Sequence, residues 1–151
     1  MSTTTSTSAP ARYALTAGAV SAMLDSAYRE VRTSWGGVTV SLDTLQSVPD
    51  GIDAYAVSLR PAGVSPVTIP EDAGLDAFRD ALSVALVRFG AHAPYLGIWH
   101  DDDNGVIEFD PVDVVGTRAE VDALGAICPV AGGAYHFATG LGYWPNGKPA
   151  S

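Results

Sequence analysis

The chain has 151 residues, enough for one domain with a single hydrophobic core and too few for two. Its 17 acidic and 8 basic residues give a formal net charge of -9, the wrong sign for direct binding to nucleic-acid phosphates. With 47% hydrophobic and only 17% charged residues, the composition excludes a wholly disordered protein.

One folded domain is predicted between two tails. Residues 1–12 are a Ser/Thr-rich tract that is expected to be flexible, because its apolar surface is too small to offset the entropy lost on ordering. Residues 13–141 are predicted to form a single α+β domain. Residues 142–151 are predicted to be a C-terminal extension, in which Tyr143 and Trp144 lie partly against the domain.

The first predicted element is an amphipathic helix from about Ala17 to Ser34. Its apolar residues recur at three- and four-residue spacing, which places them on one face. Thr16 is the expected N-cap, and the glycine pair 36–37 ends the helix.

Two strands, a linker and a second helix follow. Residues 38–42 and 55–59 alternate with period two, which predicts strands, and their succession suggests that they pair antiparallel with each other. Residues 60–70 hold three prolines and are interpreted as a linker. Residues 72–89 have the apolar spacing of a second amphipathic helix, and Gly90 ends it.

A β-hairpin is the clearest unit of the sequence. The β-rich runs 95–100 and 106–110 flank a cluster of Asp, Asn and Gly residues, the composition of a tight turn. Asp101 is expected to accept hydrogen bonds from backbone amides of the turn, and Gly105 to supply a positive φ.

The apolar alternation of the second hairpin strand changes phase at Pro111. Ile107 and Phe109 precede the proline with one phase, and Val112 and Val114 follow it with the other. Because proline cannot donate to a strand ladder, this pattern predicts a bulge or an edge position there.

A short third helix and a last strand complete the domain. Thr117 and Glu120 have the spacing of a capping box, and Pro129 ends the helix that they begin. Residues 134–138 are predicted to be a strand. The order α-β-β-α-β-β-α-β predicts an α+β fold, in which an antiparallel sheet of about five strands carries three helices mainly on one face.

The hairpin also resembles a known pattern. Residues 97–101 (GIWHD), Gly105, residues 108–110 (EFD) and the capped helix are similar to small uncharacterised proteins of actinobacteria and their phages, which read G-x-W-x-D, a turn and G-x-x-Y-L-D. The resemblance covers about residues 36–140 and implies a shared fold and source. Glu108 departs from the pattern, since the group usually has an aromatic residue there. The group has no established activity, so no activity is implied.

The acidic hairpin is the first candidate site. Residues 100–113 hold six acids and no lysine or arginine, a concentration suited to a basic partner. An EF-hand loop starting at Asp101 would need a glutamate at its twelfth position, where Val112 stands, so an ordinary solvated turn is the stronger interpretation. Glu108 and Asp110 are expected on one strand face, about 6.5–7 Å apart, a spacing open to acid–base catalysis but also typical of a half-exposed strand.

Histidine, cysteine and tryptophan give weaker signals. His92, His100 and His136 match no metal-ligand spacing. A dyad of Cys128 with His136 is conceivable, but the C-terminal end of a helix disfavours a thiolate, so a buried thiol is the stronger interpretation. Trp99 either anchors the core beneath a helix, the stronger interpretation, or faces outward and contacts a partner.

Several features that the sequence lacks indicate where the protein is located. Cys128 is the single cysteine, so no internal disulfide is expected. No apolar run approaches the ~20 residues of a membrane span, and the first residues do not have the pattern of a secretory signal. We therefore expect a cytoplasmic or virion-associated protein, with no cofactor and no metal.

The leading hypothesis is a non-enzymatic module for protein interaction or assembly, such as an accessory or virion component of a phage or mobile element. The alternatives are a hydrolase that uses a divalent metal at the acidic hairpin 101–110 and, more weakly, an acidic DNA mimic. A protein partner or self-association is expected, without direct nucleic-acid or membrane contact, and no catalytic residue is predicted. The residues proposed for binding are Trp99, His100, Asp101, Asp103, Glu108, Asp110, Tyr143 and Trp144.

Overall fold

The computed structural model describes residues 17–32, 37–59, 65–91, 93–127 and 134–143. Within these ranges the chain forms the helices α1 (Ala17–Val31), α2 (Leu75–Phe89) and α3 (Arg118–Ile127). The strands are β1 (Gly37–Ser41), β2 (Tyr55–Ser58), β3 (Val67–Pro70), β4 (Tyr95–Asp101), β5 (Val106–Val115), β6 (Ala134–His136) and β7 (Leu141–Tyr143).

All seven strands join one antiparallel sheet. Its order is β1-β4-β5-β2-β6-β7, and β3 pairs with β5 beside this path. The long strand β5 is the centre, because β4 pairs along one of its edges while β3 and β2 divide the other. The predicted α+β class is confirmed, with a sheet slightly larger than the five strands expected.

The expected pairing of β1 with β2 is wrong. β1 pairs with β4, with Gly37 opposite Trp99, whereas β2 pairs with β5 and β6. The chain after β1 turns straight back onto the free edge of that strand, where Val48 N donates to Thr39 O at 2.8 Å. This reversal occupies the edge on which β2 would have paired.

The supposed linker contains strand β3. Residues 67–70 pair antiparallel with β5, and Pro70 closes the strand opposite Val106. A proline is tolerated at such a strand end because the ladder does not depend on its missing N–H. The three prolines of residues 60–70 led to the prediction of a linker, although Val67, Thr68 and Ile69 are typical strand residues.

At Pro111 the structure has a change of pairing partner instead of the predicted bulge. β5 pairs with β4 without interruption. On its other edge, β3 is paired as far as Phe109, and β2 is paired from Val112 onward. Pro111 lies between these partners, where its missing N–H leaves no ladder bond unmade, and its carbonyl accepts a hydrogen bond from Leu59 N at 2.9 Å.

Both faces of the sheet are buried, which explains the phase change. Ile107 and Phe109 lie in the main core with α1 and α2, and α3 packs beside them over β2 on the same side. Val112 and Val114 lie on the opposite side, in a smaller cluster with Trp99 and other aromatic residues. We call the first side the helix face and the second the aromatic face.

The helix ends follow local signals. Glu120 N donates to Thr117 Oγ1 at 3.2 Å and Thr117 Oγ1 donates to Glu120 Oε1 at 3.0 Å, which confirms the predicted side-chain pairing of the cap. Gly90 ends α2 as predicted but stays right-handed, with φ -60°. Residues 1–12, Thr16 and Pro129 lie outside the described residues. No helix in the described part is long and apolar enough to cross a membrane.

Candidate functional site

The predicted site residues divide between the two faces of the sheet. Because side chains alternate along a strand, Trp99 lies on the aromatic face of β4 and His100 on the helix face. Glu108 is paired with Trp99, and Asp110 with Gly97, so both acids share the aromatic face. The side chain of Tyr143 and all of Trp144 lie outside the described residues.

Asp101 and Gly105 shape the hairpin turn, as predicted. Asp101 Oδ1 accepts from Asn104 N at 3.2 Å, and Asp101 Oδ2 accepts from Asn104 Nδ2 at 2.8 Å. Gly105 has φ +67°, in the left-handed region that favours glycine. Asp103 is exposed at the tip. Turn chemistry therefore accounts for Asp101 without any ligand.

Gly105→Ala is expected to destabilise the protein by about 1 kcal/mol, because the left-handed conformation disfavours a Cβ atom. The same change at Gly18 in α1, where an added Cβ meets nothing within 4 Å, is expected to stabilise by up to about 1 kcal/mol. Urea unfolding of both variants measures the difference. Equal effects of the two substitutions would contradict the assigned turn.

A cluster of Glu71, His100 and Asp102 stands on the helix side of the hairpin. His100 Nε2 lies 2.9 Å from Glu71 Oε1 and 3.2 Å from Asp102 Oδ1. Sequence reasoning missed this cluster because Glu71 directly follows β3, which was interpreted as a linker. No local signal places Glu71 beside the hairpin.

The aromatic face carries a pocket of about 230 Å³. Its walls include the rings of Trp99, Tyr135 and Phe137, together with Thr39 of β1 and Asp50 of the following loop, and they extend to Glu30 of α1, which packs on the helix face. Only Trp99 was among the predicted binding residues. The others come from four separate chain segments, and the alternation of Tyr135 and Phe137 in the last predicted strand was the one available signal.

Two glycines make room for the Trp99 ring. A Cβ atom at Gly37, its partner on β1, would lie 2.4 Å from Trp99 Cε3. A Cβ atom at Gly97 would lie 2.8 Å from Trp99 Nε1. The indole therefore lies over the backbone of Gly37 in β1 and Gly97 in β4, on the aromatic face. The interpretation of Trp99 as a core residue beneath a helix is wrong, because the helices cover the opposite face.

The three rings are tilted against one another. The ring centroids of Trp99 and Tyr135 are 5.9 Å apart at an angle of 51°, and those of Tyr135 and Phe137 are 5.5 Å apart at 83°. Phe137 is buried and is fixed by its backbone, since its N donates to Ala54 O and its O accepts from Gly51 N. Trp99 and Tyr135 are partly exposed, so ring surface remains accessible.

The pocket is electronegative. Asp50 and Glu30 line it, and its described lining contains no Lys, Arg or His. Burial, and secondly the negative charge of Asp50, raise the pKa of the Tyr135 hydroxyl above its ordinary value of 10.0. Thr39 is 1% exposed, and its Oγ1 has no hydrogen-bond partner within the described part of the chain. This oxygen is itself buried, so a ligand in the pocket does not reach it in this conformation.

The raised pKa of Tyr135 predicts a loss of stability at high pH. The unfolded state releases this proton first, so the folded state binds more protons and the free energy of unfolding falls as pH rises through the folded pKa. Tyr135→Phe removes the ionisable group and should flatten this alkaline decline. Urea unfolding near neutral pH and at about pH 11 tests this. A decline that is the same in the variant would contradict it.

His136 makes a second carboxylate pair, in a turn. Its Nε2 lies 2.9 Å from Asp53 Oδ1, and its Nδ1 lies 3.0 Å from Thr139 Oγ1. This Asp–His–Thr chain has the connectivity of a nucleophilic triad, but Asp53 is 83% exposed and Thr139 Oγ1 accepts from Leu141 N. We assign the group to turn formation. Cys128, which was considered as a dyad partner of His136, lies outside the described residues.

Comparison of the chain with protein-family models, with curated proteins and with solved structures gives no match.

Proposed function

We propose that the protein is a non-enzymatic binding module that takes a cationic side chain of a protein partner into the pocket between Trp99, Tyr135 and Phe137. The observation that carries this proposal is the combination of three tilted rings with the carboxylate of Asp50, whose negative charge acts on Tyr135. We propose that the module acts in the cytoplasm or on a virion.

Aromatic rings and carboxylates attract the same kind of ligand. The face of an aromatic ring carries partial negative charge, so a cation within about 6 Å of the centroid gains about 0.5–2 kcal/mol. Asp50 and Glu30 are exposed at the rim of the pocket, so they add an attraction that falls as the salt concentration rises. A lysine or arginine side chain also brings an apolar stem, which can lie against the rings.

The charge of the whole chain favours a basic partner. The net charge of -9 raises the local concentration of cationic segments and speeds their encounter at low salt. The Tyr135 hydroxyl supplies a hydrogen-bond acceptor at the pocket that an ammonium or guanidinium group can use. The partner chemistry is therefore a segment rich in lysine or arginine.

A hydrolase that uses a divalent metal at the acidic hairpin 101–110 finds less support. Asp101 is engaged within the turn. Glu108 and Asp110 lie on the aromatic face, whereas His100 lies on the helix face, so the sheet separates them. The acids that the sequence groups together do not converge on one reacting atom.

The proposal is tested by calorimetric titration of a lysine-rich peptide and of the same peptide with acetylated lysines. Acetylation removes the positive charge and leaves the backbone intact, so only the unmodified peptide is expected to bind. Asp50→Asn should weaken binding about 3–10-fold, the loss expected for about 1 kcal/mol of charge attraction.

Asp103→Asn is the matched control. It removes the same charge from an exposed position at the hairpin tip, away from the pocket. Its effect on peptide binding should be small. If both variants weaken binding equally, or if the acetylated peptide binds as well, the peptide does not use the pocket and the proposal fails.

A further inference from the structure

We propose that Glu71, His100 and Asp102 form a binding site for one divalent transition-metal ion, distinct from the aromatic pocket. One imidazole nitrogen and two carboxylate oxygens from these residues all lie within 4.8 Å of one another. The cluster lies on the helix side of the β4–β5 hairpin, whereas the pocket lies on the aromatic face.

The distances within the cluster fit a shared ion. Zn²⁺ binds imidazole nitrogen and carboxylate oxygen at about 2.0–2.2 Å, so neighbouring ligand atoms lie about 3.0 Å apart in octahedral and about 3.4 Å apart in tetrahedral geometry. His100 Nε2 lies 2.9 Å from Glu71 Oε1 and 3.2 Å from Asp102 Oδ1. Both separations are close to those of ligands on one ion.

Hydrogen bonding alone explains the cluster less well. His100 Nε2 carries at most one hydrogen, yet it faces two carboxylates, and a single hydrogen aligns well with only one acceptor. Asp102 Oδ2 is also buried and has no hydrogen-bond partner among the residues described. A metal ion accepts a lone pair from the imidazole and from each carboxylate at once.

Two of the three ligands, His100 and Glu71, have backbones that are fixed by the sheet and its turns. His100 belongs to the central strand pair, and its side chain is 11% exposed. Glu71 N donates to Gly105 O at 2.9 Å, which extends the β3–β5 pairing up to the ligand. Arg32 of the chain after α1 holds the same turn by donating to Ala73 O at 3.1 Å. The backbones of these two ligands therefore need little rearrangement when an ion binds.

The ligand set indicates the class of ion. A neutral imidazole with two carboxylates gives the site a charge of about -2, which balances a divalent cation. The imidazole favours Zn²⁺, Co²⁺ or Ni²⁺ over Ca²⁺ and Mg²⁺, which prefer oxygen ligands only. The Glu71 side chain is 45% exposed, so water or a partner side chain can complete the coordination. This set differs from the EF-hand-like one weighed for residues 101–112.

The test is a calorimetric titration of the full chain, free of tags and treated with a chelator, with Zn²⁺ alone. We expect one ion per chain, a rise in melting temperature with added Zn²⁺, and a Co²⁺ absorption spectrum typical of a nitrogen–oxygen site. Glu71→Gln and Asp102→Asn should each weaken Zn²⁺ binding at least tenfold. Circular dichroism confirms that each variant is folded.

His136→Gln is the matched control. It removes a histidine that also pairs with a carboxylate at 2.9 Å but that lies in no described three-residue ligand cluster. Zn²⁺ binding should survive this change. The proposal is overturned if no saturable binding occurs, if Glu71→Gln and Asp102→Asn bind as the parent does, or if His136→Gln abolishes binding. Peptide capture at the aromatic pocket should be unaffected by Glu71→Gln, which separates the two proposals.

Discussion

Phe78→Ala is expected to lower the free energy of unfolding by about 3–5 kcal/mol. Phe78 is fully buried in the middle of the main core. Its ring centroid lies 5.3 Å from that of Tyr28 in α1 and 5.2 Å from that of Phe109 in β5. Truncation to alanine therefore removes apolar burial and leaves a cavity where two helices meet the sheet.

An effect of this size threatens the fold, because a small domain has only about 5–15 kcal/mol of stability in total. Val87→Ala in the same helix is the control, since Val87 is 78% exposed and its loss should cost less than about 0.5 kcal/mol. Urea unfolding followed by circular dichroism gives both values. Similar losses in the two variants would show that α2 does not pack as described.

Gly97→Ala is expected to cost about 1–3 kcal/mol and to displace the Trp99 ring. The new Cβ atom would lie 2.8 Å from Trp99 Nε1 and 2.8 Å from Val112 Cγ2, closer than ordinary contacts allow. Because the ring is a wall of the pocket, the same variant should also bind cationic peptides more weakly.

A double-mutant cycle with Trp99→Ala isolates this contact. Two of the three nearest atoms to the added methyl group belong to the indole, so Gly97→Ala should cost less in the Trp99→Ala background. A coupling energy of at least about 0.5 kcal/mol is expected from chemical unfolding of the four proteins. Strictly additive losses would mean that Trp99 does not lie over Gly97.

The parts of the fold that the sequence predicted correctly depend on residues close to one another in the chain. The hairpin turn depends on Asp101 and Gly105, the cap of α3 on Thr117 and Glu120, and each signal acts within a few residues. The helices followed from spacing of apolar residues, which reflects burial of one face. Such features need no knowledge of distant partners.

Strand order beyond the hairpin depends on distant partners, and there the predicted pairing of β1 with β2 is wrong. Nothing near β1 indicates that the returning chain takes its free edge, so β2 was wrongly placed beside it. The apolar alternation changes phase at Pro111 because β5 buries residues first on one face and then on the other. A β-bulge gives the same change of phase, so the sequence cannot distinguish the two.

The candidate sites were predicted only in part for the same reason. Trp99 and His100 were selected from the hairpin, but Asp50, Tyr135 and Glu71 reach them through tertiary packing. Sequence proximity grouped Asp101 with Asp103, whereas the structure uses Asp101 in the turn and directs Asp102 toward His100. Adjacent acids cannot be told apart without the turn geometry.

The most direct test of the account is the indole N–H resonance of Trp99 during titration with a lysine-rich peptide. The chain has three tryptophans, so Trp99→Phe assigns the signal. We predict a saturable shift of this resonance that is absent with the acetylated peptide. A Trp99 indole resonance that stays unchanged up to saturating peptide would contradict binding at the aromatic pocket.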